Sequence, residues 1–118
     1  MRKICALGAL VLFAAALQSA EIWTGQLFDA NCVAQNRELQ KYEECTPKAD
    51  TASFELQVSG RMLKLDADGD RKAAAAWKEY VNSADRVIDP DFKKKPLTAV
   101  IEGTANGDML KVDSILLR

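Results

Sequence analysis

The chain has 118 residues, no histidine, and 16 basic against 17 acidic side chains, for a formal net charge of −1. This near balance argues against a polyanion-binding protein, because phosphate backbones are held mainly by concentrated lysine and arginine. The absence of histidine excludes Ser/His/Asp and Cys/His triads. Acid and base chemistry by carboxylates stays open.

The first twenty residues have the layout of a secretory signal. Two basic residues near the start precede residues 4–17, which are uncharged and mostly apolar. That run is shorter than the roughly 20 residues that a membrane-spanning helix needs. We expect cleavage after Ala20, with a cut after Ala16 or an uncleaved anchor as alternatives. Cleavage leaves one domain, residues 21–118, with no membrane span, secreted or in the periplasm.

The first strand and the two remaining cysteines follow the signal. Residues 21–30, EIWTGQLFDA, alternate as a strand does, and Gly25 within them indicates a bulge or a sharp bend. Cys32 and Cys45 lie in a chain predicted to leave the cytoplasm, so we expect a disulfide. It would close a loop of about fourteen residues and add roughly 3 kcal/mol to the unfolding free energy. A redox or metal thiol pair is the alternative, but the CxxC spacing and histidine ligands are missing.

The loop closed by these cysteines, residues 35–44, is the predicted partner-binding surface, because recognition is usually carried by loops on a rigid scaffold. Its portion 37–44, RELQKYEE, is expected to form a short helix. The alternative is a purely structural loop with Leu39 and Tyr42 tucked inward. The candidate contact residues are Gln35, Arg37, Glu38, Lys41, Glu43 and Glu44.

A hairpin is predicted for residues 54–65, FELQVSGRMLKL, with Ser-Gly as its two-residue turn. Centring the register on that turn places Leu56 opposite Leu63 on an inner face. Glu55 then lies opposite Lys64 on the outer face. Apolar groups meet inside and opposite charges meet outside, as cross-strand pairing favours.

Three aspartates alternate at Asp66, Asp68 and Asp70, just before an alanine-rich segment, which raises the question of a calcium loop. An EF-hand loop that begins at the first of them needs glycine in sixth place and a bidentate acid in twelfth. Those places hold Arg71 and Trp77. The stretch therefore does not fit an EF-hand loop. A weak calcium site, or an enzyme that uses these carboxylates, is kept as the alternative function.

The favoured interpretation of the same stretch is a turn followed by a helix. Asp66 ends a strand, Asp68-Gly69 turns, and Asp70 caps a helix over residues 71–83. Helical spacing then collects one apolar stripe, formed by Ala73, Trp77, Tyr80, Val81 and Ala84.

A second hairpin is predicted for residues 97–117, LTAVIEGTANGDMLKVDSILL, with Asn106-Gly107 as its turn. Centring the register on that dipeptide pairs Glu102 with Lys111. The charges again share one face.

The predicted order is strand, disulfide-closed loop, strand, strand, helix, strand, strand. This mainly β layout with one helix is that of a five-stranded OB-fold-like Greek-key barrel. The chain resembles small secreted or periplasmic bacterial OB-fold proteins of unassigned ligand. The resemblance covers nearly all of residues 21–118 and rests on WTGQLFDANC, on LKLD with the alanine-rich helix, and on LTAVIEGTANGDMLKVDSI. It implies a binding or envelope-associated domain and supplies no functional residue.

The expected function is a non-catalytic binding or adaptor domain, without a cofactor, for a protein or small-molecule ligand in the cell envelope. OB-folds that bind nucleic acid place aromatic and basic groups on their second and third strands. Here the expected outward residues are Glu55, Gln57, Met62 and Lys64, which include no ring and argue against that partner. A sugar-binding surface is the alternative use of the aromatic residues. The oligomeric state stays open.

Overall fold

A computed structural model describes residues 20–39, 41–83 and 96–118. The predicted signal, except Ala20, lies outside the described residues. Within these ranges the strands and helices are β1 (Glu21–Asp29), α1 (Ala30–Gln35), β2 (Phe54–Val58), β3 (Arg61–Leu65), α2 (Ala67–Val81), β4 (Thr98–Asn106) and β5 (Met109–Leu117).

The strands form a closed barrel in the order β1-β2-β3-β5-β4, with β4 returning to β1. Only the pairing of β3 with β5 is parallel among the described strands. Closure leaves the sheet without a free edge. The chain is a small OB-fold-like barrel with one main helix, which confirms the predicted fold class.

Gly25 lies close to the point where β1 stops pairing with β4 and begins to pair with β2. The next residue, Gln26, is opposite both Thr98 of β4 and Gln57 of β2. A Cβ atom at position 25 would clash with the backbone oxygen of Gln57. Glycine therefore permits the close backbone approach that closes the barrel.

The barrel interior is filled by inward-pointing apolar side chains from all five described strands. Helix α2 covers one end of this core with Ala73, and the partly buried rings of Trp77 and Tyr80 pack beside it. Each fully buried large side chain contributes roughly 1.5–3 kcal/mol relative to an exposed one. The buried cluster consists of Leu27, Phe54, Leu56, Leu63, Leu65, Ala73, Leu97, Ala99, Ile101, Leu110 and Val112.

The β2–β3 hairpin has the predicted register. Leu56 is opposite Leu63, and Glu55 is opposite Lys64. The turn residues Ser59 and Gly60 have φ angles of 50° and 81°. Two successive positive φ angles are typical of a type I′ turn, whose twist suits a two-residue hairpin.

The turn of the β4–β5 hairpin is one residue later than predicted. Asn106 is the last residue of β4 and pairs with Met109, so the loop is Gly107-Asp108. Gly107 has a φ of 65° and takes the first loop position, where a type II′ turn requires glycine. The asparagine completes the strand instead of entering the turn.

The predicted pairing of Glu102 with Lys111 is therefore wrong. Lys111 is opposite Thr104, and Glu102 is opposite Ser114. The register shifts between Glu102 and Gly103, which adds a β-bulge to the displaced turn.

The main helix begins four residues earlier than predicted, at Ala67, and its cap is Asp66 instead of Asp70. The Oδ1 atom of Asp66 accepts a hydrogen bond from the Gly69 N–H at 2.8 Å. Asp70 lies in the first helical turn, and its Oδ1 atom accepts from the Phe54 N–H at 3.0 Å. The carboxylate expected to cap the helix instead ties it to β2.

The cap assignment predicts different costs for two neighbouring aspartates. Asp66→Ala removes an acceptor shared by Gly69 and by the Val112 N–H at 3.3 Å, and is expected to cost about 1–2 kcal/mol. Asp68→Ala removes only exposed ion pairs and should cost less than about 0.5 kcal/mol. Urea unfolding followed by circular dichroism measures both, and equal losses would contradict the assignment.

Candidate functional site

Cys32 and Cys45 form a disulfide, as predicted. Residues 32–45 are called the disulfide-closed segment below. The helix expected at residues 37–44 is wrong: α1 precedes them, and the chain turns over residues 36–39. Helix formation starts early because the Asp29 side chain caps α1.

Polar contacts fix the base of the disulfide-closed segment. Asp29 Oδ1 accepts from the Cys32 N–H at 3.1 Å, and Asp29 Oδ2 accepts from the Thr51 hydroxyl at 2.7 Å. The Asp29 N–H donates to the Cys45 carbonyl at 2.7 Å. Asn36 Nδ2 donates a hydrogen bond to the Cys32 carbonyl at 2.8 Å. Both ends of the segment are thereby tied to the end of β1.

A small second core lies on the outer face of the barrel, beneath the disulfide-closed segment. Phe28, Val33 and Cys45 are buried there, with Met62 of β3 packed against them. The Tyr42 ring lies 6.2 Å from the Phe28 ring, centroid to centroid. The segment therefore covers part of the face formed by β1, β2 and β3, and Met62, which points outward as predicted, is partly buried beneath it.

Glu55 also lies on this partly covered face and is only 7% exposed, although it points outward from the barrel. Burial raises the pKa of Glu55, and the positive charges of Arg37 and Lys64 act in the opposite direction. Nucleic-acid-binding OB-folds use the outer face of their second and third strands. Its partial cover counts against such a platform here.

The raised pKa predicts a pH-dependent effect of Glu55→Gln. Folding holds the Glu55 proton at pH values where the unfolded chain, with a pKa near 4.5, has lost it. Stability from this group is full below that value and falls as the pH rises through the folded-state pKa. We expect the unfolding free energy of the variant to increase relative to that of the wild type as the pH rises from about 4.5 to 7, because only the wild type loses a proton at this position. Urea titrations across this range measure the difference, and a constant difference would contradict the assignment.

The middle of the disulfide-closed segment, residues 37–39 and 41, is exposed to solvent and is called its tip below. Leu39 has 69% of its surface accessible, whereas Tyr42 is half-buried. The structural alternative, in which both side chains turn inward, therefore holds for the tyrosine and not for the leucine. Six candidate contact residues are exposed as well: Gln35, Arg37, Glu38, Lys41, Glu43 and Glu44.

An open cleft of about 570 Å³ lies beside the segment, between residues 43–49 and α2. We call it the Trp77 cleft. The helical spacing of Trp77 predicted core packing, and it does contact the core, but it also lines this cleft. Sequence reasoning missed the site because its two walls are distant along the chain. The lining residues are Glu43, Glu44, Thr46, Pro47, Lys48, Ala49 and Trp77.

The three alternating aspartates have separate partners. Asp66 caps α2, and Asp68 forms ion pairs with Arg71 and Lys72. Asp70 accepts from the Phe54 backbone, and burial raises its pKa. Among the residues that the structure describes, no group of three or more histidine, cysteine or acidic side chains could hold a metal ion.

The fold and the disulfide-closed segment define an OB-fold-like barrel whose outer face is partly covered. Comparisons with known protein families, curated proteins and solved structures find no match. Neither helix within the described ranges is long and apolar enough to cross a membrane.

Proposed function

We propose that the protein is a non-catalytic binding or adaptor domain outside the cytoplasm, whose partner contacts the tip of the disulfide-closed segment. One observation carries this proposal. The segment is fixed at its base by the disulfide and by Asp29, yet it exposes Leu39 at its tip. A tip tied in place loses less conformational freedom on binding than a free loop.

The composition of the tip suits a protein partner in the cell envelope. An exposed apolar side chain with charged neighbours in the sequence suits an interface, which has an apolar centre and a polar rim. The disulfide and the predicted signal support a location outside the cytoplasm, secreted or periplasmic. The exposed charged residues near Leu39 in the sequence are Arg37, Glu38, Lys41, Glu43 and Glu44.

Site-specific photocrosslinking in the producing cell tests the proposal. A photoreactive residue replaces Leu39 in one variant and Leu116 in another, since these side chains are 69% and 60% exposed. We expect a discrete adduct from position 39 and none from position 116, which lies on the outside of β5. Adducts from both positions, or from neither, would refute the contact.

Charge-removing variants define the contact further. Changing Glu38, Lys41 and Glu43 to alanine in the photoreactive background should abolish the adduct. The matched control carries the same three changes on the barrel, at exposed Glu21, Glu102 and Lys111, and should keep it. Loss of the adduct in both would indicate a nonspecific charge effect and contradict recognition by the tip.

A further inference from the structure

We propose that the Trp77 cleft binds an extended peptide of the partner through a lysine or arginine side chain. The inference rests on the proposed function, because it names the chemistry of the partner at a cleft beside the disulfide-closed segment. The volume of the Trp77 cleft, about 570 Å³, lies within the roughly 300–1,000 Å³ typical of binding pockets.

The aromatic wall of the cleft suits a cation. Trp77 is half-buried: it packs against the barrel core and also lines the cleft. Tryptophan is the most favourable aromatic side chain for a cation placed over its face, and arginine uses this contact more often than lysine. A guanidinium that stacks there also keeps its edge free to donate hydrogen bonds.

The charged wall favours the same ligand. Glu43 and Glu44 line the cleft, are exposed, and form no ion pair with any other described residue. Lys48 is the one basic residue among the described lining residues. Two carboxylates therefore oppose one ammonium group, and an incoming cation meets an excess of negative charge.

Residues 46–49, which line the cleft, carry main-chain groups with which an extended peptide can pair. The Lys48 N–H is occupied by the Thr51 hydroxyl at 2.8 Å, and the Lys48 carbonyl accepts from the Thr51 N–H at 3.2 Å. Thr46 and Ala49 make no hydrogen bond to another described residue. Main-chain pairing with an extended segment, with a side-chain pocket beside it, is a recurrent mode of peptide recognition.

The two tryptophans of the chain supply a reporter and an internal reference. Trp77 lines the cleft, whereas the Trp23 indole N–H donates to the Gly103 carbonyl at 3.0 Å. The probe is a capped peptide of alternating glycine and arginine, and its control carries neutral citrulline for arginine. In nitrogen-labelled protein we expect the Trp77 indole signal to shift saturably with the arginine peptide only. The Trp23 signal should stay in place with both.

Matched variants test the role of the carboxylates. Glu43→Gln with Glu44→Gln should weaken binding of the arginine peptide at least about threefold. Glu21→Gln with Glu102→Gln makes the same change in net charge elsewhere and should leave the affinity unchanged. Equal weakening in both, or a shift of Trp77 by the citrulline peptide as large as that by the arginine peptide, overturns the proposal.

The outcomes for the cleft and for the segment tip are separable. A neutral glucose oligosaccharide that shifts Trp77 where the arginine peptide does not would overturn the peptide proposal in favour of a sugar site. A Leu39 adduct in cells without any Trp77 shift in the titration refutes the cleft alone. Absence of that adduct refutes the tip contact, and the Trp77 titration still decides the cleft.

Discussion

Gly25→Ala is expected to lower the unfolding free energy by about 3 kcal/mol. The added Cβ atom would clash with the Gln57 backbone oxygen, and neither strand can move aside without opening the barrel between β1 and β2. A backbone oxygen has no alternative rotamer that relieves the overlap. The loss should therefore exceed that of an ordinary glycine substitution.

Gly60→Ala is the matched control for this prediction. A Cβ atom added at position 60 would meet no neighbouring group within 4 Å, but the φ of 81° strains any residue with a side chain. We expect a cost of about 1–2 kcal/mol from this strain. Urea unfolding of both variants measures the difference, and an equal or smaller loss at Gly25 would contradict the closure of the barrel at that point.

Cys32→Ser with Cys45→Ser is expected to lower the unfolding free energy by about 3 kcal/mol while the barrel persists. The cysteines are separated by 13 positions and belong to the small outer core. The larger core inside the barrel contains neither of them. The loss should therefore release the disulfide-closed segment without dissolving the strands.

Circular dichroism and urea titration of wild type and double variant test this expectation. The β-sheet signal should be retained and the unfolding midpoint lowered. Reduction of the wild type should reproduce the shift. Mass spectrometry that finds Cys32 and Cys45 as free thiols in protein isolated from the producing cells, or a double variant with no remaining sheet signal, would contradict the account.

Local pattern was sufficient for the β2–β3 hairpin. Strict alternation places Leu56 and Leu63 on one face, and a two-residue turn leaves a single register that also pairs Glu55 with Lys64. The disulfide was predictable because the mature chain is expected to keep only two cysteines. The fold class followed from the order of these elements.

Long-range contacts decided what local pattern left open. Among three evenly spaced aspartates, Asp66 caps the helix while also accepting from the Val112 backbone of β5. That hydrogen bond joins positions far apart in the chain. Likewise, the sequence around Asn106-Gly107 allows a two-residue loop with glycine in its first or in its second position. The barrel register with its bulge selects the first position.

The covered outer face was also beyond local pattern. Alternation correctly placed Glu55 and Met62 outward, but outward does not mean solvated when another segment packs there. Val33 and Tyr42 bring that cover from a different part of the chain. The same distance along the chain concealed the Trp77 cleft, whose two walls come from the β1–β2 connection and from α2.

The disulfide-closed segment packs on the barrel and covers part of its outer face. The methyl groups of Met62 and Met109 report on it directly, since Met62 lies beneath the segment and Met109 is 45% exposed. In methyl-labelled oxidised protein, a soluble nitroxide should broaden the Met109 signal and spare Met62. Equal broadening of the two signals would show that the face is open and contradict the account.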